Sequence, residues 1–239
     1  MQRDKDTDVK ARDGNQTLAR GLRVMLAIAD SGRGLSVQQV GDLLGVHRSI
    51  AYRIMQTLAD FGLATRNRAG LYVPGARMAT LAGAYLPALR DAAEPVMQQL
   101  ANKLQSTVLL FVEQHREAQA VSIIEPTNAS YHISFQPGMK TPLDRGASGY
   151  SLLAARPPTP DEPPAVTLAR QTGYARSHGE VRPGAFAVSA WIPTDETPTR
   201  ATLSIVTYTE EIADKAGVEI RRAADKIGRL LDRAYLEAG

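Results

Sequence analysis

The chain has 239 residues, of which 44% are hydrophobic and 22% charged, so it holds enough apolar material for the core of one large or two small domains. It contains no cysteine, which excludes disulfides, thiolate metal sites, iron–sulfur clusters and cysteine nucleophiles, and its net charge of +3 is too small to indicate a nucleic-acid partner. No apolar run reaches the roughly 18 residues of a membrane span, and the first residues lack the apolar centre of a secretory signal, so we expect a cytoplasmic protein without a membrane partner.

The first part of the chain predicts a disordered tail, three short helices and a hairpin. Residues 1–15 are polar and are expected to be disordered. Apolar residues recur at helical spacing from Leu18 to Ala29. The second helix begins at a capping box of Ser36 and Gln39 and ends at Gly45. A third helix is predicted from about Arg48 to Phe61, and residues 63–73 are typical of a β-hairpin.

The third predicted helix separates its polar and apolar side chains onto opposite faces at 100° per residue. The apolar face is expected to hold Ile50, Ala51, Ile54, Met55 and Leu58. The polar face carries Arg48, Ser49, Tyr52, Arg53 and Gln56. Arginine can bind guanine through two hydrogen bonds, and the other side chains can contact base edges or phosphates. This pattern is typical of a recognition helix in the major groove, although a solvated basic face would look the same.

The surrounding charge favours DNA binding. Residues 1–90 hold 13 basic and 7 acidic residues, whereas residues 91–239 hold 15 and 18. Arg66 and Arg68 lie at the predicted hairpin tip, where a wing would contact phosphates or the minor groove. His47 precedes the third helix and is either a DNA contact or an ordinary surface histidine. Three helices followed by a basic hairpin predict a winged helix-turn-helix whose candidate DNA-binding residues are His47, Arg48, Ser49, Tyr52, Arg53, Gln56, Arg66 and Arg68.

The rest of the chain predicts a mixed α/β domain. A helical stretch from Arg77 to Gln105 is expected to be kinked or divided by Pro87 and Pro95. Strands are predicted over residues 107–113, 119–124, 131–135, 185–191 and 201–208. Helices are predicted over residues 146–155, 165–171 and 210–236, and the proline-rich residues 156–164 predict an irregular loop.

Two groups of motifs resemble the IclR family of bacterial transcription regulators. The first comprises Leu35-Ser36-Val37, Leu43-Leu44-Gly45-Val46, the run from Ser49 to Arg53, and Tyr72-Val73-Pro74-Gly75. The second comprises the run from Pro142 to Ala154, then Gly173-Tyr174-Ala175, Gly179-Glu180 and Gly184. The resemblance implies an α+β chain with a disordered tail at 1–15, a winged helix-turn-helix at 16–75, a linker helix at 76–90, and an effector-binding and oligomerisation domain with a curved antiparallel sheet at 91–239.

The same resemblance implies a sequence-specific DNA-binding regulator, a repressor rather than an enzyme, with no cofactor and no metal. Its partners would be a double-stranded DNA operator, a small organic acid (aromatic acids included), and further copies of the chain in a dimer or tetramer. Dimerisation would use the first helix and the linker helix. The ligand pocket would be lined by Gly146, Ala147, Ser148, Ser177, Ala187, Ser204 and Val206, with Phe111 and Tyr131 as wall candidates. Independently, the helix beginning at Gly146 offers N–H groups and a dipole suited to a carboxylate, although its small residues would serve equally to allow close packing.

Three departures from the family pattern leave alternatives open. Ala187 stands where many relatives have cysteine, Tyr150 stands where lysine is common, and the proline-rich loop is shorter than its counterpart, which puts the pocket lid in question. A protein that binds DNA and dimerises without sensing a ligand is therefore one alternative. A serine hydrolase is a remote one, because the run from Gly146 to Tyr150 approaches G-x-S-x-G and would use Ser148, with His178 as base.

Overall fold

The structure is a computed structural model that describes residues 15–127, 135, 138–195, 197 and 199–238. It forms two compact units, one ending at Tyr85 and the other beginning at Leu86. The expected tail, apart from Asn15, and the strand expected at 131–135, apart from Phe135, lie outside the described residues. None of the helices in the described part of the chain combines the length and the apolar character needed to cross a bilayer.

The described residues of the first unit form four helices and a two-stranded sheet. Its elements are α1 (Gln16–Asp30), α2 (Val37–Leu44), α3 (Arg48–Asp60), β1 (Ala64–Arg66), β2 (Tyr72–Pro74) and α4 (Arg77–Gly83). The predicted capping box is confirmed, since the Ser36 hydroxyl accepts from the Gln39 N–H and the Gln39 side chain accepts from the Ser36 N–H. Gly45 ends α2 in the left-handed conformation, as predicted. Val24, Ile28, Val40 and Met55 form the centre of the core.

The predicted hairpin is present and is attached to the helices at its base. Strands β1 and β2 pair antiparallel, and Tyr72 also exchanges two backbone hydrogen bonds with Leu35. Gly34 lies at a φ of +88°, and a Cβ there would come within 2.7 Å of the Tyr72 carbonyl oxygen. Glycine at this position therefore permits the close approach that fixes the wing beside the three helices.

In the second unit, the residues that the structure describes form a six-stranded antiparallel sheet with helices on both faces. Its elements are α5 (Pro87–Leu104), β3 (Thr107–Gln114), β4 (Glu117–Ile124), β5 (Lys140–Pro142), α6 (Gly146–Ala154), α7 (Pro164–Thr172), β6 (Ala175–His178), β7 (Phe186–Trp191), β8 (Ala201–Thr207) and α8 (Glu210–Ala238). The strand order is β5-β4-β3-β8-β7-β6, with a register shift between Leu110 and Phe111. Bulges of this kind bend a sheet, in keeping with the curved antiparallel sheet that was predicted.

Side chains alternate between the two faces along each strand. On β8, Leu203 and Ile205 pack with α5 and α8 in the larger core. Their neighbours Ser204 and Val206 point to the opposite face, where α6 and α7 pack. Ser204 and Val206, both predicted as pocket residues, therefore share a face, and this second face carries the cavity described below.

The predicted division at Pro87 is confirmed, because α4 ends at Gly83 and α5 starts with Pro87 at its first position, where the missing N–H costs nothing. The linker helix expected at 76–90 is therefore two segments. Pro95 does not divide α5, so packing of the helix on the sheet outweighs the lost hydrogen bond. The short strands β5 and β6 were not predicted, because three or four residues are too few to show alternation.

Candidate nucleic-acid interface and ligand cavity

The predicted polar face of α3 is exposed as one surface. Arg48, Ser49, Tyr52, Arg53 and Gln56 all lie on it, and the buried residues of the helix are Ala51, Ile54, Met55 and Leu58. Ile50 differs from the prediction, because 41% of it is exposed although it was assigned to the apolar face. An exposed isoleucine beside polar side chains is suited to contact with a thymine methyl group.

Some side chains of this surface are already hydrogen-bonded within the chain. His47 is the N-cap of α3, where its Nδ1 accepts from the Ser49 N–H at 3.3 Å. Gln56 donates to Asp60 Oδ1 at 2.8 Å. Within the described residues, the guanidinium groups of Arg48 and Arg53 have no hydrogen bond or ion pair. These two arginines are therefore the groups best placed to meet an external acceptor.

The hairpin presents a second basic surface. Arg66 and Arg68 are both exposed, but they differ in whether the side chain is already hydrogen-bonded within the hairpin. Arg66 Nε donates to the Gly70 carbonyl at 3.1 Å and so holds the tip of the hairpin. Arg68 lies in the turn itself, between Asn67 and Gly70, whose backbones are hydrogen-bonded at 3.0 Å. Arg68 is consequently the more available of the two for a phosphate.

The seven residues predicted to line a pocket converge on one cavity in the second unit. The cavity has a volume of about 170 Å³ and lies between the start of α6 and one face of the sheet. Its lining includes Gly146, Ala147, Ser148, Ser177, Ala187, Ser204 and Val206. Phe111 also lines it, whereas Tyr131 lies outside the described residues. Residues from α6, β6, β7 and β8 thus meet because neighbouring strands align Ser177 with Ala187 and Ala187 with Val206.

The start of α6 is not an empty anion site. The Gly146 N–H donates to Glu180 Oε2 at 2.8 Å, and the Ala147 N–H donates to the Ser177 hydroxyl at 2.9 Å. The expectation that these N–H groups are free for a ligand is therefore wrong for two of them. A carboxylate does occupy the helix start, as the helix dipole favours, but it belongs to Glu180. Among the described atoms, the next N–H, that of Ser148, has no such side-chain partner.

Tyr150 completes this arrangement, since its hydroxyl donates to the same Glu180 oxygen at 2.7 Å. Burial, followed by the bond to Glu180, raises the pKa of Tyr150 from 10.0 to about 12. Because the folded pKa exceeds the unfolded one, the stabilisation from this phenol is present below pH 10 and is lost as pH rises through about 12.

We expect Tyr150→Phe to remove a tyrosine whose pKa is about 12. Tyrosinate absorbance followed from pH 9 to 12.5 in the folded protein should lose its amplitude near pH 12 in the variant. Tyr208→Phe, which replaces a tyrosine that is 58% exposed, is the matched control and should keep that amplitude. Loss of amplitude near pH 10 in Tyr150→Phe would contradict the contact with Glu180.

Several cavity residues were not predicted. They are Phe135, Met139, Thr141, Glu180, Val181, Arg182 and Ala185. Arg182 is the one cationic side chain among the described lining residues, and its guanidinium lies 5.1 Å from the centre of the Phe135 ring. Ser189, two residues after Ala187, belongs to the strand from Phe186 to Ser189 that the resemblance implies for the pocket, whereas nothing local places Glu180 and Arg182 at the cavity.

The proline-rich loop does not form the pocket lid. None of the described residues 156–164 lines the cavity. Glu162 from this loop accepts from Arg170, and Arg170 in turn donates to the Leu153 and Ala154 carbonyls at the C-terminal end of α6. The cavity lies at the other end of this helix, so this loop does not border it.

The geometry does not support a serine hydrolase. Ser148 lines the cavity on the α6 side of the sheet. His178 belongs to β6, one residue beyond Ser177, and therefore points to the opposite face, where its ring stacks on Phe186 with centroids 4.0 Å apart. The histidine proposed as base is thus separated from the serine by the sheet.

Comparison with known proteins agrees with both units. Residues 17–68 match the family model of the IclR helix-turn-helix domain, and residues 86–162 match that of the bacterial transcriptional regulator IclR C-terminal domain. HTH-type transcriptional regulator Rv1719 of Mycobacterium tuberculosis is 30% identical over 146 residues, which cover 61% of this chain and 56% of that protein. TtgV of Pseudomonas putida is 26% identical over 153 residues, which cover 64% of this chain and 59% of that protein. The matched region thus spans little more than half the length of these curated relatives.

Solved structures share the fold. An IclR regulator from Alicyclobacillus acidocaldarius superposes with a TM-score of 0.76 at 20% identity, covering 91% of this chain and 99% of the other. An IclR homologue from Microbacterium hydrocarbonoxydans, crystallised with 4-hydroxybenzoate, superposes with a TM-score of 0.73 at 22% identity. The match again covers 91% of this chain and 99% of the other. The two family models are those of regulators rather than of enzymes, and together they match more than half of the sequence. The chain belongs to the IclR family of bacterial transcriptional regulators.

Proposed function

We propose that the protein is a sequence-specific repressor whose affinity for an operator is changed by the binding of a small organic acid. Residues 16–75 would contact the DNA, and residues 91–239 would hold the acid. DNA binding is supported by the exposed face of α3, on which the side chains of Arg48 and Arg53 have no partner among the described residues. A dimer bound across a promoter would repress by excluding the polymerase.

Selection from random double-stranded DNA tests the operator half of the proposal. The expected product is an inverted repeat whose half-sites lie one helical turn apart, or a multiple of it, because two recognition helices of a symmetric dimer would read it. Enrichment of no sequence, with binding that merely follows salt concentration, would contradict sequence-specific recognition.

The cavity supports the acid half of the proposal. Its volume of about 170 Å³ is close to the roughly 150 Å³ of a protein cavity that holds benzene, so one aromatic ring is the size limit. A ligand carboxylate would lie near Arg182 and the Ser148 N–H, because Glu180 already occupies the Gly146 N–H. The bound 4-hydroxybenzoate in the homologous structure is an acid of this size.

Titration calorimetry of the full chain tests this half directly. Benzoate and 4-hydroxybenzoate should bind, and benzyl alcohol, which has the same ring without the charge, should bind at least tenfold more weakly because it cannot pair with Arg182. Arg182→Gln should lose that preference for acids. Absence of any heat from both acids would favour the alternative, a regulator that binds DNA and dimerises without a ligand.

We also propose that the first unit forms a dimer through a groove on α1 and α3. The groove has a volume of about 420 Å³ and is almost wholly apolar, with Leu18, Leu22, Met25, Leu58 and Phe61 in its lining. Leu18, Leu22 and Phe61 are 61%, 47% and 67% exposed. A second copy is the occupant we favour, because a two-fold dimer would bury the same patch on both chains and pair the recognition helices.

Leu22→Asp should therefore weaken self-association, since it places a charge in a surface that the dimer would dehydrate. Sedimentation at increasing concentration should show a higher dimer dissociation constant, by tenfold or more, with a parallel loss of operator affinity. The control is Leu168→Asp, which alters another exposed leucine, on α7 and outside the groove. Equal association of Leu22→Asp and the control would rule out this interface.

A further inference from the structure

Two serines form the floor of the cavity. Ser189 on β7 and Ser204 on β8 are directly paired residues, and their hydroxyl oxygens lie 2.5 Å apart. The two residues are 0% and 1% exposed, yet both line the cavity. Each therefore depends on the partner serine, or on what fills the cavity, for its hydrogen bonds.

The hydrogen bonds of this pair are incomplete. Two hydroxyl groups carry two donor hydrogens, and the bond between them uses one. Neither hydroxyl has another hydrogen-bond partner among the residues that the structure describes. One O–H of the pair thus has no acceptor among the described residues, and it faces the cavity. A ligand with an acceptor at this point would receive that hydrogen bond.

The location of the pair defines which part of a ligand would reach it. Ser177, beside the start of α6, pairs with Ala187, so Ser189 is its diagonal neighbour in the sheet. Diagonal neighbours lie about 7–8 Å apart, which is comparable to the distance between the two ends of a para-substituted ring. Between Ser177 and Ser189 the cavity lining is apolar and consists of Ala187, Val206 and Phe111.

We propose that Ser189 is a specificity-determining residue that selects acids carrying a hydroxyl or keto oxygen at the end remote from the carboxylate. The carboxylate lies at the Arg182 and Ser148 end, the ring or short carbon chain lies on the apolar wall, and the remote oxygen accepts the spare O–H of the serine pair. This inference rests on the proposed binding of an organic acid and adds the requirement for a second polar group.

Calorimetry with two probes tests the inference. The wild-type full-length chain should bind 4-hydroxybenzoate about tenfold more tightly than benzoate, which is the effect of one net hydrogen bond. Ser189→Ala should reduce that ratio to about one by weakening 4-hydroxybenzoate alone. Ser189→Cys, which keeps the size and a weaker donor, should give an intermediate ratio and guards against a folding defect in the alanine variant.

Ser151→Ala is the matched control. Ser151 is also a buried serine bonded to a hydroxyl, that of Thr202 at 2.8 Å, but it does not line the cavity. This variant should keep the tenfold ratio. Equal binding of both probes by the wild type, or an unchanged ratio in Ser189→Ala, would overturn the inference and leave the organic-acid proposal standing. Binding of neither probe would overturn both.

Discussion

Alanine at Arg48 or Arg53 is expected to lower operator affinity by about 1–3 kcal/mol at each position, which is roughly 5- to 150-fold. Both guanidinium groups lie on the exposed face of α3 and are without partners among the described residues, so their donors are available to base edges. Fluorescence anisotropy on the selected operator, at one fixed salt concentration, measures the loss. The effect should be largest on operators that keep the preferred guanines.

Arg233→Ala is the control for charge, because it removes a 78% exposed arginine from α8 in the second unit. Its operator affinity should match that of the wild type. Arg68→Ala should differ from both, weakening all DNA sequences alike and lowering the slope of log affinity against log salt by about one. Operator binding by Arg48→Ala and Arg53→Ala that equals the wild type would contradict the assignment of α3 as recognition helix.

Filling the cavity is expected to abolish the response to an acid while leaving DNA binding intact. Ala187 lies on β7 between Ser177 and Val206, so a larger side chain there enters the cavity directly. Ala187→Phe should make binding of 4-hydroxybenzoate undetectable by calorimetry. Operator affinity in the absence of acid should stay within about twofold of the wild type, because the phenyl ring brings no carboxylate to Arg182 and leaves every residue of α3 unchanged.

Overpacking costs about 1–3 kcal/mol of stability, so thermal unfolding of Ala187→Phe must be measured as well. Ala187→Ser is the matched control, since it changes the same position without filling the space and should keep the response. Retention of acid binding by a folded Ala187→Phe protein would show that the acid binds elsewhere.

Local patterns predicted the first unit well. Capping at Ser36, termination at Gly45 and the separation of faces on α3 depend on residues within a few positions of one another. The exception is Ile50, which lies at the border of the apolar face, where only the packing of neighbouring helices decides exposure. Features that depend on contacts between distant residues were predicted less well. For example, α5 continues without a break through Pro95.

The cavity likewise shows that local sequence patterns do not predict contacts between distant segments. Strand alternation and the family resemblance together named at least eight of its lining residues, including Ser204 and Val206. They could not show that Glu180 occupies the start of α6, because 34 residues separate Glu180 from Gly146 in the chain. Likewise, the proline-rich loop was expected to alter the lid, whereas Arg170 holds it at the far end of α6. Contacts between distant segments decide these points, and no local pattern encodes them.

The central claim is that one acid in the cavity changes the affinity for the operator, and linkage supplies its most direct test. The operator dissociation constant should be measured with and without saturating 4-hydroxybenzoate, and the dissociation constant of 4-hydroxybenzoate with and without saturating operator. We predict that both constants rise by the same factor, between about 5 and 150, because coupling between two sites is reciprocal. An operator dissociation constant that saturating 4-hydroxybenzoate leaves unchanged, although calorimetry shows the acid bound, would contradict the claim.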